Sequence, residues 1–216
     1  AVNNESHTLS NYFTYDKTFG EAHNLNVVAG HEFTSFSSRY QDVTSIYFPS
    51  DNFQTIDGGA EIINGSGSET DYAFDSFFAR ASYSYNNKYL FKASIRRDGS
   101  SRFGENKRYG IFPAVSAGWV ISEEDFLKDN SVISNLKLRA SYGETGNAEI
   151  GNFQSRSLYS MAAYDTKAGL LPTQPGNNDL TWEKSKQLDL GIDYGFLNNR
   201  ITGEIDYYNK RTDGLL

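Results

Sequence analysis

Apolar side chains recur at every second residue through about eight segments of this chain, and that regularity limits its possible folds more than any other feature. Within residues 76–98 one parity reads Phe77, Ala79, Ala81, Tyr83 and Tyr85, while the other reads Phe78, Arg80, Ser82 and Ser84. After Asn86 and Asn87, a pair suited to a tight turn, come Tyr89, Phe91, Ala93 and Ile95 against Lys92, Ser94 and Arg96. An extended chain puts successive side chains on opposite faces, so this is a β-hairpin with one apolar and one polar face. Helical geometry would scatter the same apolar residues around a cylinder.

The pattern repeats. Leu136, Leu138, Ala140 and Tyr142 alternate with Lys137, Arg139 and Ser141. On either side of Asn198-Asn199, Leu188, Leu190, Ile192, Tyr194 and Phe196, then Ile201, Gly203, Ile205 and Tyr207, stand against Asp189, Asp193, Glu204 and Asp206. Residues 109–122 are apolar on both parities, which leaves their orientation open. The first hairpin, around Gly20 to Asn24, is less regular, because Asn11, Lys17 and His31 share its apolar parity. Connections near 20–24, 86–87, 123–134 and 197–199 are short or compact; those near 39–71, 99–108 and 146–179 are longer. This alternation predicts an up-and-down meander with its long loops at one end. Ser122 ahead of Glu123, Glu124 and Asp125 predicts an N-cap and one or two helical turns closing one compact connection.

The chain is 15% aromatic although its mean hydropathy is negative, so large apolar side chains are interleaved with polar ones. No window supplies the 18 or so consecutive apolar residues of a membrane helix, whereas a barrel strand needs only about ten alternating ones. Tyr83, Tyr85, Tyr89 and Phe91, Tyr194 and Phe196, and Tyr15 and Phe19 flank the short turns, as an interfacial girdle would. Most charges on the apolar parity (Asp75, Arg97, Glu144, Lys184 and Lys186) fall at the opposite strand ends, where facing lipid costs little. A net charge of -7, spread along the chain, argues against nucleic acid, and the absence of cysteine excludes disulfides and thiolate metal sites. The opening AVNNESHTLS carries no signal-peptide pattern, so an exported protein would begin upstream. The expected fold class is all-β: an antiparallel up-and-down meander of about eight strands, part of a large transmembrane β-barrel, across residues 1–216.

Three stretches resemble a known family: YLFKASIRRDGSSRFGENKRYGIFPAVSAGWVISEEDFL (89–127), ISNLKLRASYGETGNAEIG (133–151) and DLTWEKSKQLDLGIDYGFLNNRITGEIDYYNKRTDGLL (179–216). In wording and order they are similar to the SusC/RagA-type TonB-dependent outer-membrane transporters, and the match covers most of 72–216. The resemblance implies a barrel of about 22 strands, an N-terminal plug, energy from the TonB complex, a SusD-like surface lipoprotein and a cargo of oligosaccharide or peptide. It also implies that 1–216 is an internal piece without plug or final strand. It supplies no catalytic, cofactor-binding or metal-ligating residue.

Candidate functional residues therefore come from parity alone. Arg80, Lys92, Arg96, Lys137 and Arg139 share the polar parity of three segments, and Asp189, Asp193, Glu204 and Asp206 that of two others. These are expected to face a water-filled interior, either as a basic and an acidic wall steering cargo or, with greater weight, as solvated wall residues. Trp182 is placed in an outer loop, either stacking on a sugar or, with greater weight, packing the loop. The glycine-rich stretches 65–71 and 143–151 lack a phosphate-loop pattern and predict flexible loops; 98–104 lacks the acidic ligands of a cation loop. The three histidines form no metal set, and no nucleophile elbow occurs. Two other classes remain open: a complete small eight-stranded outer-membrane barrel with a structural or adhesive role, and a soluble carbohydrate-binding β-sandwich or glycosidase. The first requires the outermost strands to pair; the second requires the apolar rows to pack on each other.

Overall fold

The structure, a computed structural model, describes all of residues 1–216 except 54, 129, 166 and 216. Its strands are β1 (Val2–Phe19), β2 (His23–Ile46), β3 (Glu61–Tyr85), β4 (Tyr89–Ser100), β5 (Tyr109–Val120), β6 (Ile133–Asn147), β7 (Leu158–Tyr164), β8 (Lys167–Gln174), β9 (Glu183–Phe196) and β10 (Ile201–Asp213). Eight of them form one antiparallel sheet in the order β1-β2-β3-β4-β5-β6-β9-β10, and β7 pairs only with β8. This is the expected meander, with one addition: the long connection 146–179 carries a hairpin that alternation did not reveal. Tight turns fix the register. Asn86 and Asn87 adopt positive φ between β3 and β4, as do Leu197, Asn198 and Asn199 between β9 and β10, and Gly20 between β1 and β2.

β1 and β10 occupy opposite edges of the sheet, so the small closed barrel is not formed. The sandwich fails on burial. Among the described residues the buried apolar core is Phe103, Phe112 and Trp182, whereas Phe91, Ile95, Ile111, Val115, Leu188, Leu190 and Ile205 all lie exposed in rows. A water-soluble domain of this length hides most such side chains. β5 is also oriented: Ile111, Val115, Ala117 and Trp119 join the apolar face, and Phe112, Ala114, Ser116 and Gly118 the polar one.

Several loop expectations are corrected. β2 and β3 remain paired out to Ile46↔Glu61, so GSGSETD is strand rather than flexible loop. The connection 121–132 is longer than 101–108, but it is wound compactly. A 3-10 turn at Ile121–Glu123 is followed by bonds from the Leu127 and Lys128 amides to the Glu124 carbonyl. Its N-cap position is Val120, and Ser122 lies buried inside the turn, making no capping bond.

The two ends of the sheet are finished differently. At the turn end an aromatic row crosses four strands on the apolar face: His23, Tyr85, Tyr89 and Trp119, with centroids 4.7, 6.2 and 6.5 Å apart in succession. Glu124 anchors it, accepting hydrogen bonds from Tyr89 Oη (2.7 Å) and Trp119 Nε1 (2.9 Å), with Lys88 Nζ at 3.5 Å. At the loop end, β6 leaves β5 beyond Ala114↔Gly143, beside Pro113, which brings no N–H to a ladder. Phe112 and Trp182 occupy the space that opens, over Gly110 and Gly146, where any Cβ would overlap their rings. Phe103 stacks on Trp182 at 4.8 Å, and Trp182 Nε1 donates to the Arg108 carbonyl at 2.9 Å. The Gly104 amide bonds the Leu180 carbonyl at 2.9 Å, and Arg102 reaches Asn152 and the Ala148 carbonyl at 2.8 and 3.2 Å. Residues 98–104 and 143–151 are thus tied into one packed unit, contrary to the flexibility expected of 143–151.

Two outcomes test these ends. Gly104→Ala puts a methyl into the Asn178 backbone. It should cost on the order of 1–3 kcal/mol in the urea midpoint of detergent-folded protein and open 148–182 to protease; an unchanged cleavage pattern would count against the packed unit. The Tyr89 and Trp119 hydrogen bonds hold the Glu124 carboxyl below the ordinary glutamate range. A depressed carboxylate stabilises the fold at higher pH and ceases to as pH falls through its lowered value. Followed through the indole N–H NMR resonance of Trp119, assigned by its loss in Trp119→Phe, the transition should have a midpoint below that of an ordinary glutamate. Glu124→Gln should abolish the transition; a midpoint at or above the ordinary value would remove the anchor.

Candidate functional site on the polar face

The pairing register lines polar-face residues into rows across the sheet. Nearest the turns run Val120, Lys137, Asp193 and Glu204; above them, Ser84, Leu90, Gly118, Arg139, Gly191 and Asp206; then Ser82, Lys92, Ser116, Ser141, Asp189 and Tyr208; and then Arg80, Ser94, Ala114, Gly143, Gln187 and Lys210. All ten candidates lie on this face or at its loop end, and the structure brings some of them together. Arg139 donates through Nε to Asp193 Oδ1 at 2.8 Å and pairs through Nη2 with Asp193 (2.7 Å), Asp206 (3.1 Å) and Glu204 (3.5 Å). Lys137 adds a contact to Asp193 at 3.9 Å. Gly191 makes this possible, because a Cβ there would strike the Arg139 guanidinium and Asp206. Two members of the basic set, Arg139 and Lys137, therefore meet the acidic residues where β6 adjoins β9, while Arg80, Lys92 and Arg96 lie apart from them.

Arg96 is also satisfied, with Nη2 3.0 Å from Asp98 Oδ1 and its guanidinium 5.7 Å from the centre of the Phe78 ring. Asp189 accepts from Ser141 Oγ at 3.1 Å and Gln187 Nε2 at 2.7 Å. Arg80 and Lys92 have no ion-pair or hydrogen-bond partner among the described residues; they line a groove of about 420 Å³ floored by Ser94, Ser116, Ala114 and Gly143. Lys210 lies at its far end, a residue that the parity of Glu204 and Asp206 would have found had it been followed further along the strand.

Trp182 is only 5% exposed, so it offers no free face for stacking on a sugar and serves as loop packing. Its edge borders a second hollow of about 480 Å³ with Tyr72, Phe74, Arg96, Asp98 and Arg102. Tyr72 and Arg102 are not legible in the sequence because the cation lies 4.1 Å over the ring only once the connection after β4 folds against β3. Among the described residues, neither histidine with a side-chain partner meets a nucleophilic hydroxyl of serine or threonine: His23 Nδ1 meets Tyr83 Oη at 2.7 Å and His31 Nε2 meets Asp75 at 2.6 Å.

Comparison with known proteins adds an independent line. Residues 2–216 match the family described as TonB dependent receptor-like, beta-barrel. A TonB-dependent receptor of Formosa agariphila is 45% identical over 209 residues, covering 95% of this chain and 20% of that protein. The TonB-dependent receptor SusC of Bacteroides thetaiotaomicron is 46% identical over 149 residues, 65% of this chain and 15% of SusC. Among solved structures, that of the RagAB peptide transporter superimposes with a TM-score of 0.90 at 32% identity, over 98% of this chain and 24% of its own. The chain spans about a fifth of the length of the curated relatives it matches. With its open eight-stranded meander, one apolar and one charged face, and these matches, the chain belongs to the TonB-dependent receptor β-barrel family, of the SusC/RagA type.

Proposed function

We propose that this chain forms part of the wall of an outer-membrane barrel that takes up nutrients actively, as a SusC-like TonB-linked transporter. The observation that carries this reading is the two-faced single sheet: an apolar face covered by no second layer, backed by a polar face bearing Arg80, Lys92, Arg96, Arg139, Asp189 and Asp193. On this reading the apolar rows meet the acyl chains of outer-membrane lipid, and the polar rows face an aqueous lumen. The cargo is a glycan fragment or a peptide, a SusD-like surface lipoprotein meets the loop end, and the TonB complex supplies energy; the likeness to SusC and to a peptide transporter supports these assignments. The wall's own work is to separate lipid from water and to hold cargo, not to make or break bonds.

Neighbouring residues of β5 give a direct test of the two faces. Val115→Arg in the full-length protein should destabilise the folded barrel by about 2–4 kcal/mol, the cost of a cation near the bilayer midplane, and deplete it from the outer membrane. Ser116→Arg, one residue along, should leave the heat-modifiable folded band in place. Equal loss from both variants would refute the facing. For transport, a strain lacking the protein should lose growth on one class of sole carbon source, peptides or polysaccharide fragments, and inactivation of TonB should reproduce the loss. Wild-type growth of the deletion strain on every source would overturn the uptake reading.

A further inference from the structure

We infer that the Arg80–Lys92 end of the 420 Å³ groove is a subsite for an anionic group, a carboxylate or a group of like charge, held over a floor of serine hydroxyls. This rests on the reading of the polar face as the wall of an aqueous passage. Arg80 stands opposite Ser94, and Lys92 is two residues along the same strand, so the two cations are diagonal neighbours on one face. That spacing places their Cβ atoms roughly 7–8 Å apart. Both side chains are long enough to converge on one anion lying between them.

The rest of the face supplies such anions. Arg139 is met by three carboxylates and Arg96 by Asp98. The chain as a whole carries an excess of acid, with net charge -7. Yet the carboxylate that lines this groove, Asp189, is on β9, three strand spacings from Lys92, which is roughly 14 Å. It is also already held by Ser141 and Gln187. Around the cation pair the residues are small: Ser94, Ser116, Ala114 and Gly143 keep the floor low, so long side chains stand over an unfilled recess. Ser94 and Ser116 add hydroxyl donors, and an anion within the groove would be less screened than on an open surface. Two cations, donor hydroxyls and room between them are the chemistry of an anion site. A ligand stretched along the groove would place a charged group at the Arg80–Lys92 end.

The test uses the full-length protein purified in detergent, with tri-glutamate and its neutral isostere tri-glutamine as probes in calorimetric titration. Tri-glutamate is expected to bind at least tenfold more tightly, with an advantage that shrinks as salt rises. Arg80→Gln/Lys92→Gln should abolish the preference, and Arg80→Lys/Lys92→Arg, which keeps both charges, should retain it. If the probes bind alike but the Gln pair shifts the thermal midpoint and the charge-keeping pair does not, the cations are held by a carboxylate of the protein's own chain, and the ligand subsite is overturned. Equal probe affinity together with an unchanged midpoint also overturns it. Should the double variant fail to give a folded band, Lys92→Gln alone, at an exposed position, reads the same quantities. Because binding is measured without transport, a cell that fails to take up cargo while charge preference persists would contradict the uptake function and leave the subsite standing.

Discussion

The whole architecture depends on the backbone ladder from β1 to β10. In hydrocarbon a peptide group has no partner except another peptide, so strands cross a bilayer only when each is bonded to a neighbour on both sides. That requirement turns a period-two sequence into two continuous surfaces, and a slip of one residue anywhere would exchange them. The asparagine turns at 86–87 and 198–199 guard against the slip, since their left-handed backbone allows only certain strand offsets. The two β-edges that remain, β1 and β10, present unpaired peptide groups, and a wall continuing past both edges is what such a sheet requires.

Within that ladder the ends solve opposite problems. On the proposed reading, the chain places aromatic rings at a lipid–water boundary at the turns and leaves the membrane at the loops. Tyr89 and Trp119 give their hydrogens to Glu124 while their rings lie against neighbours, so a single carboxylate orients both amphipathic side chains. At the loops, the chain has to make a core of its own. It does so where Pro113 coincides with the parting of β5 and β6, letting Phe112, Phe103 and Trp182 pack edge to face over glycines that offer no side chain. The small size of this core is itself informative: elsewhere, apolar surface is left for another medium to cover.

The fold was legible because alternation is local. Phe91 and Ile95 disclose their face without reference to any distant residue, and so do Lys92 and Arg96. What sequence could not disclose depends on which strands become neighbours. Arg139 was read as one of a basic set, but β9 and β10 bring Asp193, Glu204 and Asp206 to it, and no spacing within β6 announces them. Trp182 was legible as an outer aromatic, but not as the keystone between residues 98–104 and 143–151. The sequence presents Glu124 as a helix-end acid, because Tyr89 comes to it from β4 only once β4 pairs with β5, and Trp119, five residues before it, reaches it only when the connection winds back. The β7–β8 hairpin was missed because Ala162, Ala163 and Gly169 blur any alternation.

The polar face is graded from one end to the other. Near the turns its charges are paired internally: Arg139 and Lys137 are held among the three carboxylates Asp193, Glu204 and Asp206, which leaves an excess of one negative charge, so the cluster braces β6, β9 and β10 and offers no free cation to an anionic ligand. One and two rows higher, Lys92 and Arg80 stand beside small hydroxylic residues with their charge uncompensated. Higher again, Arg96 and Arg102 are each committed, one to Asp98 and the other to Tyr72 and Asn152. A charged solute moving along such a wall would find the sites above and below already occupied by the protein's own groups. The pair in the middle is the place where an outside anion gains most, because both side chains can converge on it.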